Sequence, residues 1–428
     1  MFLSSIFKKI SLLAIVSITV LNSTASCSFL PAFLQPKTVP NLVYGILKKD
    51  PTNPQIKASG FVKANAVKRE GEVDPQGLSK FTVKKIVEIS KDILFILTNE
   101  KGLFRSNDGG ITWERRYIFP VDSSEQDPKK KDTEIASKIA KNDAFKIRNF
   151  VVDKSNPKNL FVVGLGSDLL GKVYQTVDGG DNFKVKYSEV DLGINVIDVT
   201  IDPKNPLRVY ILLTGGALIR SFDGGNNWEK AHTFTTPPVV IDFIPEFGNT
   251  FYAVDAVTGQ FYTSGDDGST WNAKQLKLET IVPNKDSAGG TKVVEVNIIN
   301  ITNIVPVTLK NSNKRQWILI ANEELLVTTD INEAFKKIVL PIQNEQTKIS
   351  DIAYDTQTGV DHLYVALKDK LLESRNNGQG WSWNTNDLIQ LSDPIGEIQK
   401  IVVSRENADI IYLGLTSPVK KKTGYFNQ

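Results

Sequence analysis

The chain has one cysteine, two histidines (His232 and His362) and one methionine in 428 residues. A lone cysteine closes no internal disulfide, and so few Cys and His side chains cannot build a structural zinc site or a Cys–His nucleophile pair. Charge of one sign is missing too: 51 Lys+Arg stand against 48 Asp+Glu, a formal net charge of +3. A nucleic-acid-binding domain neutralises phosphates with a clear basic excess, so no nucleic-acid partner is expected. What is present is 41% hydrophobic residues, enough to bury a substantial core.

Lys8 and Lys9 precede an apolar run from Ile10 to Leu21, then the small residues Ser23, Thr24, Ala25 and Ser26, then Cys27. This order is the layout of an export signal with its cleavage region, and the run falls short of the ~20 apolar residues that span a bilayer. The expected division is residues 1–26 as signal peptide, 27–40 as tether and 41–428 as the folded domain. The stretch T-A-S-C resembles a bacterial lipobox, although Thr24 stands where an aliphatic residue is usual. The resemblance implies lipidation of Cys27 and a membrane anchor facing the extracytoplasmic side. Cleavage after Ala25 to give a soluble secreted protein is the alternative.

Beyond the tether one motif recurs. SNDGGITW runs from Ser106 through Asp108 and Gly110 to Trp113, and TVDGGDNF from Thr176 through Asp178 and Gly180 to Phe183. SFDGGNNW follows at Ser221, Asp223, Gly225 and Trp228, and SGDDGSTW at Ser264, Asp266, Gly268 and Trp271. Two degraded copies complete the set: TTDINEAF (Thr328, Asp330, Phe335), with Asn332 in the glycine slot, and SRNNGQGW (Ser374, Asn376, Gly378, Trp381). The spacing is about 45 residues, twice enlarged by insertion, which is the length of a four-stranded propeller blade. A short Asp side chain bonds the N–H groups of its own turn, glycine supplies positive φ, and Asn is the next most tolerant residue there. On that reasoning the Asn332 substitution is mild.

Upstream of the boxes lie paired strands with a turn between them, such as NFVVDKSNPKNLFVVG from Asn149 and DVTIDPKNPLRVYILL from Asp198. The last such pair, Ile398 to Val403 and Ile410 to Gly414, precedes no box; Gly424 to Asn427 is a candidate third strand. The segment Asn41 to Lys49 carries the strand material that this blade lacks. The expected fold is all-β: a single β-propeller of four-stranded blades, best counted as seven with six and eight open, closed by the N-terminal strand joining the C-terminal blade. Two insertions interrupt it. Residues 120–143 are charged and predict a short helix from Thr133 to Lys141, and residues 280–300 predict a loop running into an extra or lengthened strand.

The pattern S/T-x-D-x-G-x-x-W/F resembles the Asp-box, or BNR, repeat of sialidases, xyloglucanase-type hydrolases, sortilin-type receptors and photosystem II assembly factors. The resemblance covers roughly Asn41 to Asn427 and is nearest in size to the assembly factor-like propeller lipoproteins. It implies box aspartates that lie on the rim, away from a central site. The specific enzyme families match less well: there is no R-I-P motif, and the chain has length for one propeller only.

A catalytic group is needed once per site, whereas a fold needs its turn in every blade, so the repeated box residues are assigned to structure. The slot at the start of each innermost strand is the candidate ligand site at the channel mouth: Asn149, Asp198, Asp242, Asp351 and Lys400, with Lys85 aligned less clearly. Asp198, Asp242 and Asp351 are the candidate carboxylates should the protein hydrolyse a glycan. Trp383 and Tyr117 are the aromatics most open to ligand contact. The expected function is a monomeric, non-enzymatic binding or assembly scaffold for a protein or an envelope glycan, with no cofactor and no metal. A glycoside hydrolase acting through the channel-mouth carboxylates is the alternative.

Overall fold

In the computed structural model, residues 46–49, 61–63, 65–67 and 81–416 are described, the last with gaps at 123, 237, 239, 245–248, 285–289, 309–314, 342–347, 356–358, 369, 384–396 and 408. The export signal, Cys27, the tether and Gly424 to Asn427 lie outside the described residues.

Burial along the strands explains the blades. Second strands such as Leu94–Thr98 and Val209–Leu213 are buried at every position, and their continuous apolar runs pack against neighbouring sheets on both faces. Fourth strands such as Lys184–Ser188 and Glu229–Thr233 have no fully buried residue and form the rim. Seven antiparallel blades result. Blade 1 is built on Val83–Glu88, Leu94–Thr98, Gly102–Ser106 and Thr112–Arg115. The innermost strands of blades 2 to 7 are Lys146–Val152, Val196–Ile201, Val240–Ile244, Ile301–Thr308, Ile349–Asp355 and Ile398–Val403.

The core lies between blades. Phe95 and Leu97 of blade 1 pack with Phe150, Val152 and Val162 of blade 2, and Phe161 and Val163 of blade 2 pack with Val209 and Ile211 of blade 3. Each fully buried aliphatic or aromatic side chain contributes about 1.5–3 kcal/mol, so the seams hold the ring together.

The ring closes as the sequence predicts, with a further step. Ile46–Lys49 pairs antiparallel with Ile411–Leu415, the second strand of blade 7, and Phe61–Lys63 adds the fourth strand. Asn65–Val67 then crosses to blade 1 and pairs parallel with Thr112–Arg115, making that sheet five-stranded. The N-terminal strands thus tie the last blade to the first.

The first insertion forms a helix longer than predicted, Pro128–Ala144. Asp127 caps it by accepting from the Lys129 and Lys130 N–H groups, and Pro128 sits in its first turn, so the helix starts five residues ahead of Thr133. Asn142 docks it by exchanging two 2.9 Å hydrogen bonds with the Phe119 backbone. The second insertion forms a hairpin of Lys277–Pro283 and Thr291–Asn297, which joins blade 5 through the Phe335 backbone.

Candidate functional site at the propeller axis

Six of the seven innermost strands slip register by one residue at their start. The shift falls just before Lys85, Asn149, Asp198, Asn303, Asp351 and Lys400. A bulge re-aims the side chain that follows it, and here it turns one polar residue per blade toward its neighbours around the axis. Asp242 holds the same slot in blade 4 without a shift. The structure therefore brings all five predicted residues together and places Lys85 firmly among them. Asn303 was not legible because the preceding insertion blurs the repeat; its signal is the pattern aliphatic-x-polar, Ile301-Thr302-Asn303, shared with Val196-Ile197-Asp198.

The slot residues bond from blade to blade. Lys85 Nζ donates to Asn149 Oδ1 and to the Phe150 carbonyl, both at 2.8 Å. Asn149 Nδ2 donates to Asp198 Oδ1, which also accepts the Val199 N–H at 2.8 Å, while Oδ2 accepts the Ile241 N–H of blade 4 at 2.9 Å. Thr200 donates to Asp242 Oδ1 at 2.8 Å. Asn303 Nδ2 donates to Asp351 Oδ1 at 2.7 Å, and Asp351 Oδ2 accepts the Ile401 N–H of blade 7 at 3.1 Å. Lys400 Nζ lies 3.5 Å from Asp351 Oδ1.

Asp198 and Asp351 are 4% and 5% exposed, so both are wall groups with occupied oxygens. Burial pushes the Asp198 carboxyl up to about 6 against the opposing influence of Lys85 and three hydrogen bonds. Asp351 is raised by burial in the same way, and burial lowers Lys85. Every hydrogen-bond partner of Asp198 is a donor, so the group serves as an ionised acceptor near neutrality.

Below the slots the axis opens into a cavity of about 310 Å³. Lys85 and Asp242 line it, joined by Glu88, Asp153, Lys154 and Arg405 from the ends of the innermost strands and the turns after them. Neither Asp198 nor Asp351 does, nor does any box residue. Among the described residues no group of three or more His, Cys, Asp and Glu could hold a metal ion.

The boxes are local turns set against the preceding blade. Ser106 Oγ donates to Asp108 Oδ1 at 2.8 Å and accepts the Gly110 N–H at 2.8 Å; Asp108 accepts the Ile111 and Thr112 N–H groups; Trp113 Nε1 donates to the Gly110 carbonyl at 3.0 Å. The same net holds Thr176, Asp178 and Gly180; Ser221, Asp223, Gly225 and Trp228; Ser264, Asp266, Gly268 and Trp271; and Ser374, Asn376, Gly378 and Trp381. Phe183 packs with the seam of blades 1 and 2.

The fifth box differs from expectation. Asn332 does not adopt positive φ, whereas Asn377 does, at 57°. Instead Thr328 Oγ1 donates to the Asp330 carbonyl at 2.8 Å, Asp330 Oδ1 accepts the Asn332 N–H at 2.8 Å, and the Glu333 N–H closes on the Asp330 carbonyl. Without Gly-Gly the turn tightens into another form, and Phe335 still buries completely. Tyr117 is also corrected: it is 4% exposed under the Arg115 guanidinium, a packing residue and not a contact surface.

No family model matches the chain. No curated protein matches it either. Solved structures do. A structure described as YCF48 bound to D1 peptide shares 16% identity with a TM-score of 0.50, over 79% of this chain and 92% of that one. The GH74 enzyme of Niastella koreensis shares 16% identity with a TM-score of 0.51, over 78% of this chain but only 51% of that one. At this identity the likeness is one of fold, the β-propeller.

Proposed function

We propose that the chain is an exported, lipid-anchored propeller that binds a protein or an envelope glycan without transforming it. The observation that carries this reading is the state of the axial carboxylates. Asp198 and Asp351 have both oxygens engaged by donors from their own and neighbouring blades, which makes them struts of the ring. A glycosidase needs one carboxyl free to give a proton and a second free to meet water or the sugar. The neighbour solved with a D1 peptide supports binding as a use of this architecture. For the anchor, the support is Cys27 after a signal-like segment.

Incubation of the purified domain with a panel of polysaccharides, followed by assay of new reducing ends, tests the reading. None are expected; release that Asp242→Asn abolishes overturns it. Fatty-acid labelling tests the anchor, with label expected on the native chain and absent from Cys27→Ala.

Hydrolysis remains as a second reading because Glu88 and Asp242 line one cavity, and burial pushes the Glu88 carboxyl up. The GH74 neighbour favours that chemistry in name, but this chain spans about half of it.

A further inference from the structure

Glu88 is a charge that the propeller does not require. It ends the innermost strand of blade 1, opposite Leu94, in the register where blades 2, 3 and 7 place Val152, Ile201 and Val403 opposite Leu160, Val209 and Ile411. Those three side chains are buried in the seams between blades. Glu88 is only 6% exposed in the same place. Its Oε2 accepts the Arg405 N–H of blade 7 at 2.7 Å, whereas its Oε1 is buried without a hydrogen-bond partner. A buried acceptor left unmatched is destabilising, and more so when charged. Burial accordingly pushes the carboxyl up, against the opposing hydrogen bonds from Ser404 and the Arg405 N–H. The seam accounts for one oxygen and leaves the other unmatched at a residue that lines the cavity.

The cavity itself narrows the chemistry of that occupant. Lys85, Lys154 and Arg405 oppose Glu88, Asp153 and Asp242 along its wall, so the charges cancel. Much of the rest is aliphatic, as at Val151 and Val402, with the Thr200 residue among the polar positions. A ligand with net charge gains no advantage from such a wall. One with many hydroxyls does, because each hydroxyl donates one hydrogen bond and accepts others while its ring carbons lie on apolar surface. The volume of about 310 Å³ is at the lower end of the ~300–1,000 Å³ range of small-ligand sites, which suits one ring and not an extended chain.

We propose that the axial cavity binds a single neutral sugar unit, one of whose hydroxyls donates to Glu88 Oε1. The inference rests on the binding reading above and names the ligand class of that site. Asp242 and Thr200, hydrogen-bonded to each other and lining the same cavity, are placed to orient the same ring.

The test is calorimetric titration of the full chain with glucose, galactose and N-acetylglucosamine, with glucuronate and lysine methyl ester as charged probes. Saturable binding of at least one neutral sugar, tighter than either charged probe, is expected. Glu88→Leu restores the side-chain type of the other blades, so it is expected to match or exceed the native urea midpoint while weakening that sugar at least tenfold. Glu88→Gln keeps the shape and one acceptor, and an intermediate loss is expected. No binding by any neutral sugar, preference for a charged probe, or unchanged affinity in a folded Glu88→Leu protein overturns the proposal. Each of those results leaves the scaffold reading standing, whereas release of reducing ends from a bound glycan sinks that reading alone.

Discussion

The Tyr412 hydroxyl of blade 7 donates a 3.1 Å hydrogen bond to the Gly109 carbonyl in the box of blade 1. The next residue shows how close the two blades lie. Gly110 has φ +86°, and a Cβ there would stand 2.8 Å from Tyr412 Cε1. Two costs therefore meet in Gly110→Ala, backbone strain and a clash across the closing seam, together about 2–4 kcal/mol. In a Tyr412→Ala background only the strain remains, and the cost falls to about 1–2 kcal/mol. Urea midpoints of the four proteins in that cycle give the coupling; equal costs in both backgrounds would show that the seam is not held at this point.

The boxes differ in how much each aspartate does. Asp108 accepts from Ser106, from the Ile111 and Thr112 N–H groups and from the Thr112 hydroxyl. Asp330 accepts the Asn332 N–H at Oδ1 in a turn that its own carbonyl also closes. Asp108→Ala is expected to lower stability by about 2–3 kcal/mol and Asp330→Ala by about 1 kcal/mol. Chemical denaturation of both variants checks the order, and a larger loss for Asp330→Ala contradicts it.

Seven blades were legible because the box repeats in six of them and the seventh is betrayed by strands without a box. One missing strand of that blade was readable in Asn41 to Lys49, since a ring must pair its edges, whereas the other, Phe61–Lys63, was not. The crossing of Asn65–Val67 onto blade 1 was not, for nothing in a three-residue strand marks a parallel partner. The axial slots were visible as a column of polar residues, but their role was hidden: Asp198 and Lys85 alike look available for chemistry until their cross-blade partners are known. Glu88 was passed over because one charge at a strand end reads as solvated, and only its burial makes it unusual.

Asn332 and Asn377 occupy turns of opposite character and should answer glycine differently. Asn377 already has positive φ, so Asn377→Gly relieves a small strain and is expected to be neutral or to raise stability by a few tenths of a kcal/mol. Asn332 has an ordinary backbone, so Asn332→Gly only adds freedom to the unfolded chain and costs about 0.5–1 kcal/mol. Thermal midpoints resolve the sign, and a stabilising Asn332→Gly would mean that the fifth box takes the same turn as the rest.

The two sets of aspartates pull stability in opposite directions with pH. Backbone N–H donation from Asn227 and Thr270 is the leading cause that holds Asp223 and Asp266 down at about 2. Their unfolded value is about 3.9, so their contribution is present above that pH and disappears as the pH falls toward 2. Asp198 behaves the other way. Burial raises it to about 6, so between about 4 and 6 the folded chain binds more protons than the unfolded one, and stability falls as pH rises through that window. Asp351 and Glu88, both raised by burial, add to the same limb. Urea midpoints measured from pH 2 to 8 should peak near pH 4. Asp198→Asn should flatten the upper limb alone, and Asp223→Asn with Asp266→Asn the lower limb alone. A profile that rises steadily to neutrality, unchanged in slope by Asp198→Asn, would mean that the axial carboxylate is better hydrated than its place between blades 2 and 4 implies.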